Sequence, residues 1–207
     1  MPPVLRIAEL AKHFGEFVVF DDMSFDLEAG RALALVGPNG SGKSTALRCI
    51  TGADRPTKGT VELDGSPLDE RYPATRQGLA VVMDDLDFFP DLSVVEHLDL
   101  FARAHRVHDA NDLVDAVLAD VGLTMQAAQL PGTLSSGQRR RLALASAFVR
   151  PRVLLVLDEP EQRLDQSGLA WLAERLKAEK SQGLAVLLAS HDAGLVEAVA
   201  DDVFTLA

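Results

Sequence analysis

Nine residues near the start of the chain, GPNGSGKST, have the composition and spacing of a phosphate-binding loop. They follow the apolar stretch ALALV and fit the pattern G-x-x-x-x-G-K-[ST]. Glycines allow successive backbone N–H groups to face one phosphate, and the helix that follows adds its positive N-terminal end. Lys43 is expected to reach the β- and γ-phosphates, and the Ser44 hydroxyl to ligate Mg²⁺. The predicted phosphate-contacting set is Gly37, Asn39, Gly40, Ser41, Gly42, Lys43, Ser44 and Thr45.

The stretch RVLLVLDEP places two carboxylates, Asp158 and Glu159, directly after an apolar run. Parallel sheets bind ligands at the carboxyl ends of their strands. Asp158 is therefore expected to hold the Mg²⁺ shell, and Glu159 to orient and deprotonate an attacking water. An acidic pair after a strand is often only a solvated turn, so this interpretation depends on the phosphate loop. Together the two motifs predict hydrolysis, with Lys43 and Glu159 among the catalytic residues.

A third polar stretch, LSSGQRRR, opens a predicted helix that continues through LALASAF. In one interpretation Ser135 or Ser136 simply caps that helix. The serine hydroxyls, the Gly137 N–H and the helix N-terminus also make a second anion site. Because the chain already has a phosphate loop, a second site makes sense if it serves the nucleotide of another copy.

These motifs together resemble those of the ATP-binding cassette (ABC) ATPases. GPNGSGKST is similar to the Walker A motif of that family, VLLVLDEP to its Walker B motif, and LSSGQ to its signature motif, with Ser136 in place of a glycine. Asp165 in EQRLD matches the D-loop aspartate, and His191 in ASHD matches the switch histidine. The order and spacing of the motifs hold from about Ile7 onward, over nearly the whole chain.

The resemblance implies that two cassettes pair head to tail, with each ATP between the Walker A motif of one and the signature motif of the other. Ser135, Gly137 and Gln138 would then contact the γ-phosphate bound by the second subunit, and Asp165 would belong to the same nucleotide-binding set. The bulky Gln162 and Arg163 stand where the family commonly has small residues, which leaves the D-loop contacts of the dimer open.

The resemblance also implies roles for the side chains of Phe14 and His191. Phe14 falls where the family stacks an aromatic side chain on adenine, although an isolated phenylalanine is more often part of a core. His191 would hydrogen-bond the γ-phosphate and hold the Glu159 water in line, although a histidine after a strand is usually part of a capped turn. The remaining histidines have no motif and are predicted to lie at the surface: His13, His97, His105 and His108.

The chain departs from the family pattern at Asp84. The stretch FFPDLSVVEHL resembles a family segment whose alignment puts Asp84 where a glutamine usually contacts Mg²⁺. Asp84 could reach Mg²⁺, directly or through water, or it could turn to solvent; the second interpretation is favoured because another negative charge should oppose ATP binding. Residues 84–93 are expected to receive a membrane-spanning partner, and Asp85, Asp87 and Asp91 could form an acidic rim for a basic helix of that partner.

The elements that would position these residues predict an α/β fold of the P-loop NTPase (RecA-like) type. Apolar runs suited to a buried parallel sheet occupy residues 32–36, 79–83, 153–157 and 184–189. More alternating segments at 5–10, 18–25 and 60–63 predict a small antiparallel layer. One domain is expected, with residues 1–88 and 151–207 as its α/β core and residues 89–150 as an inserted helical lobe that carries the signature motif. A further helix is predicted over 166–180.

Composition limits the classes of function. The net charge of −11 offers no positive field for a phosphate backbone, so no nucleic-acid partner is expected. The single Cys49 suits a reducing cytoplasm. No signal peptide is predicted, and no apolar run approaches the roughly 20 residues of a membrane helix, so contact with a membrane would go through the partner. The leading interpretation is the ATPase subunit of an ABC transporter; the alternative is a soluble assembly module similar to the iron–sulfur assembly ATPase.

Overall fold

The computed structural model describes residues 2–69, 71–84 and 87–206. Strands and helices alternate along most of this part of the chain. Its strands are β1 (Leu5–Phe14), β2 (Phe17–Leu27), β3 (Ala32–Val36), β4 (Lys58–Leu63), β5 (Ser66–Pro67), β6 (Leu79–Val82), β7 (Leu154–Asp158), β8 (Ala185–Ala189) and β9 (Asp202–Thr205). Its α-helices are α1 (Lys43–Thr51), α2 (Pro73–Gly78), α3 (Val94–Ala104), α4 (Ala110–Asp120), α5 (Ser136–Phe148), α6 (Gln166–Ser181) and α7 (Ala193–Val199).

Five strands form a parallel sheet in the order β6-β7-β8-β3-β9. Every residue of β7 and β8 is buried, as expected for strands covered on both faces. The register pairs both Asp158 and Leu35 with Ala189. The phosphate loop after β3 and the acidic pair at the end of β7 therefore meet at the same edge of the sheet, as the sequence predicts.

The predicted antiparallel layer is a second sheet, in the order β2-β1-β4-β5. Its apolar face and one face of the parallel sheet share a core that includes Leu5, Leu10, Leu33, Leu47 and Ile50. Leu47 and Ile50 belong to α1 and are fully buried. This packing holds the helix that follows the phosphate loop between the two sheets.

Helices α3, α4 and α5 lie in the chain between β6 and β7, where the sequence predicts a helical lobe. The predicted helix over 166–180 is also present as α6. The described elements that were not predicted include the short helices α2 and α7 and the strands β5 and β9. In the described part of the chain no helix is long and apolar enough to cross a bilayer.

The prediction that His97 lies at the surface was wrong. Its side chain is buried, at 1% exposure, because position 97 falls on the same face of α3 as Val94 and Leu98. The Phe89 N–H donates to His97 Nε2 over 2.8 Å, and His97 Nδ1 lies 3.2 Å from the Ser93 carbonyl oxygen. His97 thus holds the loop before α3 onto the helix. His108 is exposed, as predicted, whereas His13 and His105 are half-buried.

Candidate functional site

The phosphate loop joins β3 to α1 and has glycines where backbone or side-chain atoms approach closely. Gly42 has a φ of 92°, in the left-handed region that favours glycine, and α1 begins at the next residue. A Cβ atom on Gly42 would lie 2.5 Å from Val19 Cγ1, and one on Gly37 would lie 2.3 Å from the Leu206 carbonyl oxygen. Side chains at these two positions would therefore force the loop open.

Lys43 is the first residue of α1, and its side chain turns back over the loop. Its ammonium group donates to the carbonyl oxygens of Gly37 (2.9 Å) and Pro38 (3.2 Å). The residue is only 5% exposed. The neighbouring Ser41 is also buried, and its Oγ has no hydrogen-bond partner in the described part of the chain. The loop thus presents a buried cation and a hydroxyl group without a partner.

Asp158 ends β7 with its side chain directed at the phosphate loop. It is 3% exposed and accepts a hydrogen bond from the Ser44 hydroxyl. Burial raises the pKa of Asp158, the Ser44 hydrogen bond lowers it, and the charges of Glu159 and Asp84 raise it further. The second carboxylate oxygen, Oδ1, is buried and has no partner among the described residues. A hydroxyl and a carboxylate with an unpaired oxygen are the oxygen donors that Mg²⁺ prefers.

Glu159 is placed by a turn of strained backbone at the sheet edge. Its φ is 43°, and its N–H donates to the Ala189 carbonyl oxygen over 2.8 Å. The side-chain amide of Gln162 donates to Glu159 Oε2, and His191 Nδ1 lies 3.8 Å from Glu159 Oε1. Gln162 was singled out from the sequence only for its size. In the structure its amide hydrogen-bonds Glu159, the predicted general base.

A second acidic residue near His191 was not singled out from the sequence. Glu161 is 6% exposed, and its Oε1 accepts hydrogen bonds from the Ser190 hydroxyl (2.7 Å) and the His191 N–H (3.0 Å). The same oxygen lies 3.2 Å from His191 Nδ1. Glu161 therefore ties the loop after β7 to the loop after β8.

The signature stretch forms the N-terminal turn of α5. Ser135 is the N-cap, and its Oγ accepts from the Gln138 N–H over 3.2 Å. The Gln138 side chain in turn accepts from the Ser135 N–H over 2.8 Å. This capping box confirms the predicted helix cap.

One turn further along α5, a buried arginine joins the helix to the acidic loop. Arg140 Nη2 donates to the carbonyl oxygens of Asp158 and Glu159, each over 2.6 Å. Longer contacts of 3.3 Å run from Nε to Pro160 O and from Nη1 to Met83 O. This role could not be predicted from the sequence, because Arg140 stands between two other arginines.

Predicted site residues from both ends of the chain line one cleft of about 560 Å³. Its lining consists of Phe14, Phe17, Val19, Asn39, Gly40, Gly42, Lys43, Ser44, Thr45, Glu159, Gln162 and His191. Phe14 and Phe17 are exposed at its mouth, and Lys12 Nζ lies 4.8 Å from the centre of the Phe14 ring. Phe17 and Val19 were not predicted.

Eight predicted site residues do not belong to that lining. Gly37 and Ser41 are in the phosphate loop, Asp158 is hydrogen-bonded to Ser44 of that loop, and Asp84 lies elsewhere. The other four are Ser135, Gly137, Gln138 and Asp165. Asp165 is the N-cap of α6, where its Oδ1 accepts from the Gly168 N–H (2.8 Å) and the Ser167 hydroxyl (2.9 Å). A Cβ atom on Gly137 would lie 2.9 Å from the Arg163 carbonyl oxygen. The signature thus packs against Arg163, near the start of α6, and the four residues of this set lie outside the lining of the cleft in the same chain.

Asp84 is exposed and lies beside the loop before α6. Its Oδ1 is 3.6 Å from Arg163 Nη2, and Arg163 has a φ of 64°. Burial lowers the pKa of Arg140 and raises that of Asp158, and the charge of Asp84 acts to raise both pKa values. Neither interpretation from the sequence included this arginine. Asp85, the first member of the predicted acidic rim, lies outside the described residues.

A parallel sheet with a phosphate loop and a carboxylate at one edge defines a P-loop nucleotide-binding protein. A family model described as ABC transporter matches residues 20–162. The chain is 33% identical over 205 residues to the SkfA peptide export ATP-binding protein SkfE of Bacillus subtilis (strain 168), covering 98% of this chain and 85% of that protein. It is 36% identical over 195 residues to the Nod factor export ATP-binding protein I of Cupriavidus metallidurans, covering 92% of this chain and 64% of that protein.

Solved structures agree with these relatives. A structure described as the ATP-binding subunit of an ABC transporter superposes with a TM-score of 0.90 at 28% identity, covering 98% of this chain and 85% of that one. A dimeric ATP-binding cassette in a post-hydrolysis state, bound to ADP and Pi, has the same fold, with a TM-score of 0.87 at 22% identity, covering 98% of this chain and 94% of that one.

The chain belongs to the ABC transporter family, as an ATP-binding subunit that hydrolyses ATP. The predicted family, fold and ATPase activity are confirmed, and the transporter interpretation is favoured over the soluble assembly module. The chain spans less than two thirds of the length of the Nod factor relative.

Proposed function

We propose that two copies of this subunit, or this subunit and a similar one, close around two ATP molecules and drive a membrane-spanning partner. The observation that supports this most is the convergence of Lys43, Ser44, Glu159 and His191 on one cleft, with Asp158 beside it. These are the groups that bind a phosphate chain, hold a divalent cation and activate a water.

ATP binding is assigned to the phosphate loop. Lys43 exchanges the carbonyl oxygens of Gly37 and Pro38 for β- and γ-phosphate oxygens, which bring negative charge to a buried cation. Phe14, exposed at the mouth of the cleft, is the platform for the adenine ring.

Ser44 and Asp158 are the proposed Mg²⁺ ligands. Their side chains are hydrogen-bonded to each other, and they offer a hydroxyl oxygen and the unpaired carboxylate oxygen Oδ1 of Asp158. When bound, Mg²⁺ supplies positive charge that neutralises the β- and γ-phosphates. Asp84 is a weaker candidate for this cation, since its carboxylate is exposed and lies near Arg163.

Glu159 is the proposed general base, and His191 the group that positions the γ-phosphate and the attacking water. Gln162 holds Glu159 Oε2 through its amide. Oε1 of Glu159 then remains for the water.

Completion of each site by the second subunit is supported by where the signature lies. Ser135, Gly137 and Gln138 surround the N-terminus of α5 but do not line the cleft of their own chain. A helix N-terminus with polar side chains binds anions. In the dimer these residues would therefore contact the γ-phosphate held by the other subunit.

The membrane-spanning partner is proposed to dock near residues 84–93. A groove of about 360 Å³ in this region is lined in part by Asp84, Asp87, Phe88 and Pro90, and three arginines, Arg139, Arg140 and Arg163, also line it. With Asp91, these carboxylates would attract a basic helix of the partner. Charge reversal at Asp87 and Asp91 should weaken complex formation in a salt-dependent manner, and an unchanged complex would contradict the docking surface.

The catalytic assignment is tested with Glu159→Gln, and with Glu174→Gln as the matched control. Glu174 is exposed and contacts only Lys177 among the interactions described here. We expect Glu159→Gln to bind ATP and to lose at least about 100-fold in hydrolysis, because the general base is removed while the fold is kept. Gel filtration with Mg-ATP should show a dimer of this variant. Full hydrolysis by Glu159→Gln, or an equal loss in the control, would contradict the assignment.

A further inference from the structure

Glu161 is a buried carboxylate whose hydrogen-bond partners, among the described residues, belong to the loop after β8. One oxygen, Oε1, accepts from the Ser190 hydroxyl and from the His191 N–H, at 2.7 and 3.0 Å, whereas Oε2 has no partner there. Oε1 also lies 3.2 Å from the Nδ1 atom of the His191 ring. Glu161 therefore bonds the backbone of the histidine and lies beside its ring.

The ring contact bears on which nitrogen of the His191 ring carries a proton. An ionised carboxylate can only accept hydrogen bonds, so a hydrogen bond across this 3.2 Å separation takes its proton from Nδ1. Glu159 Oε1 lies farther from the same atom, at 3.8 Å, beyond a direct hydrogen bond. A proton on Nδ1 would thus face Glu161 and leave Nε2 for the nucleotide.

The His191 side chain is otherwise loosely held. It is 54% exposed, whereas the Glu161 side chain is 5% exposed. An exposed imidazole changes its rotamer within nanoseconds unless a contact restrains it. A buried carboxylate 3.2 Å from Nδ1 can restrain the rotamer of the ring within the cleft.

We propose that Glu161 is a positioning residue, which acts through His191 by fixing the orientation and the protonated nitrogen of its ring. This inference rests on the proposed role of His191 in hydrolysis. A purely structural role is the alternative, in which Glu161 only ties Ser190 to the loop after β7. The two roles differ in whether the effect of Glu161 requires the imidazole.

The first measurement observes the ring directly, in the protein without nucleotide. In ¹⁵N-labelled protein, the imidazole shifts of His191 should indicate a proton on Nδ1. In Glu161→Ala the neutral ring should shift toward the Nε2–H form, because Nδ1 has lost its acceptor. Glu161→Gln, which keeps an acceptor oxygen, should retain the Nδ1 proton. An unchanged ring in Glu161→Ala would overturn the proposal, whatever the effect on hydrolysis.

The second measurement is a double-mutant cycle on ATP hydrolysis by the intact subunit. Glu161→Ala should lower kcat by about 10-fold and leave the KM for ATP within about 2-fold, since positioning matters in the transition state. In the His191→Ala background the same substitution should add less than about 2-fold. Glu161→Gln should restore most of kcat. Additive losses in the two backgrounds would indicate the structural role and overturn the proposal.

The controls separate this inference from the proposed function. If His191→Ala hydrolyses ATP at the normal rate, the proposed role of His191 in hydrolysis is wrong. The imidazole shifts then still test whether Glu161 fixes the ring. If His191→Ala is slow but Glu161→Ala is normal, only the inference fails. Thermal unfolding and ATP binding of each variant report whether it is folded, and Glu161→Gln serves where Glu161→Ala is unstable.

Discussion

Replacement of Arg140 by methionine tests how the signature helix is joined to the hydrolytic loop. Methionine keeps most of the volume of the side chain but removes every donor to Asp158, Glu159, Pro160 and Met83. Because these carbonyl groups lie in or beside the buried end of β7, water replaces the lost donors poorly.

The magnitude follows from two short and two long hydrogen bonds. A hydrogen bond from a charged donor contributes about 1.5–3 kcal/mol, and the 3.3 Å contacts contribute little. Burial lowers the pKa of Arg140 despite the raising effect of Asp84 and Glu161, which indicates a cost of desolvation that methionine avoids. The expected loss is about 2–4 kcal/mol in the free energy of unfolding, or roughly 10 °C in Tm for a chain of this size.

Arg139→Met is the matched control for this test. Arg139 is half-buried and makes one contact of this kind, from Nη1 to the Leu134 carbonyl oxygen over 2.7 Å. Because this contact is half-buried, water can replace the lost donor, and the substitution should cost less than about 1 kcal/mol. Urea unfolding of both variants measures the difference. Equal losses, or a loss below about 1 kcal/mol for Arg140→Met, would refute the reasoning that the buried carbonyl contacts join helix and loop.

Three further predictions concern the edges of the site. Asp84→Gln should keep or raise Mg-ATPase activity. The substitution removes a charge that raises the pKa of Asp158, and the contact it loses is an exposed ion pair with Arg163. A several-fold loss of activity in the folded variant would contradict this. Phe14→Ala should raise the KM for ATP by about 3- to 10-fold at unchanged kcat, since a stacked ring contributes about 0.5–1.5 kcal/mol. Phe14→Tyr keeps a ring and should leave the KM unchanged. Steady-state kinetics of both variants test this. Hydrogen bonds from the Gly168 N–H and the Ser167 hydroxyl lower the pKa of Asp165, so its stabilisation is present above the unfolded pKa of about 3.9 and is lost as pH falls through the lower folded pKa. Urea unfolding should therefore show Asp165→Ala to be less stable than the unmodified chain at about pH 7, with the difference shrinking as the pH is lowered; a difference that does not change with pH would argue against the cap.

The strands of the parallel sheet could be predicted because their sequences alone are distinctive. Residues 32–36 and 154–158 are apolar almost throughout, and the structure buries them on both faces. β9 could not be predicted in this way. Three of its four residues are exposed, so it is a strand because β3 offers a free edge and not because of its own composition. The helix α2 has only six residues, too few for a periodic pattern.

The candidate site likewise contains residues that local sequence predicts and residues that only the tertiary structure brings together. Lys43, Ser44 and Asp158 follow from local motifs, since the spacing of a loop and the end of a strand fix where they lie. The contact of Glu161 with His191 depends on the register of β7 with β8, which pairs Asp158 with Ala189 and brings the following loops together. Single-sequence patterns do not contain that register. His97, by contrast, could have been found, because its position continues the apolar face of α3.

The pairing of β9 with β3 also affects the order in which the site can form. The Leu206 N–H donates to the Val36 carbonyl oxygen over 2.8 Å, and the Leu206 carbonyl oxygen occupies the space beside Gly37. During synthesis the phosphate loop leaves the ribosome long before residues 202–206 do. In a nascent chain the backbone that packs beside Gly37 is therefore absent until residues 202–206 have been synthesised, so the phosphate loop reaches this packing only after β9 has paired with β3.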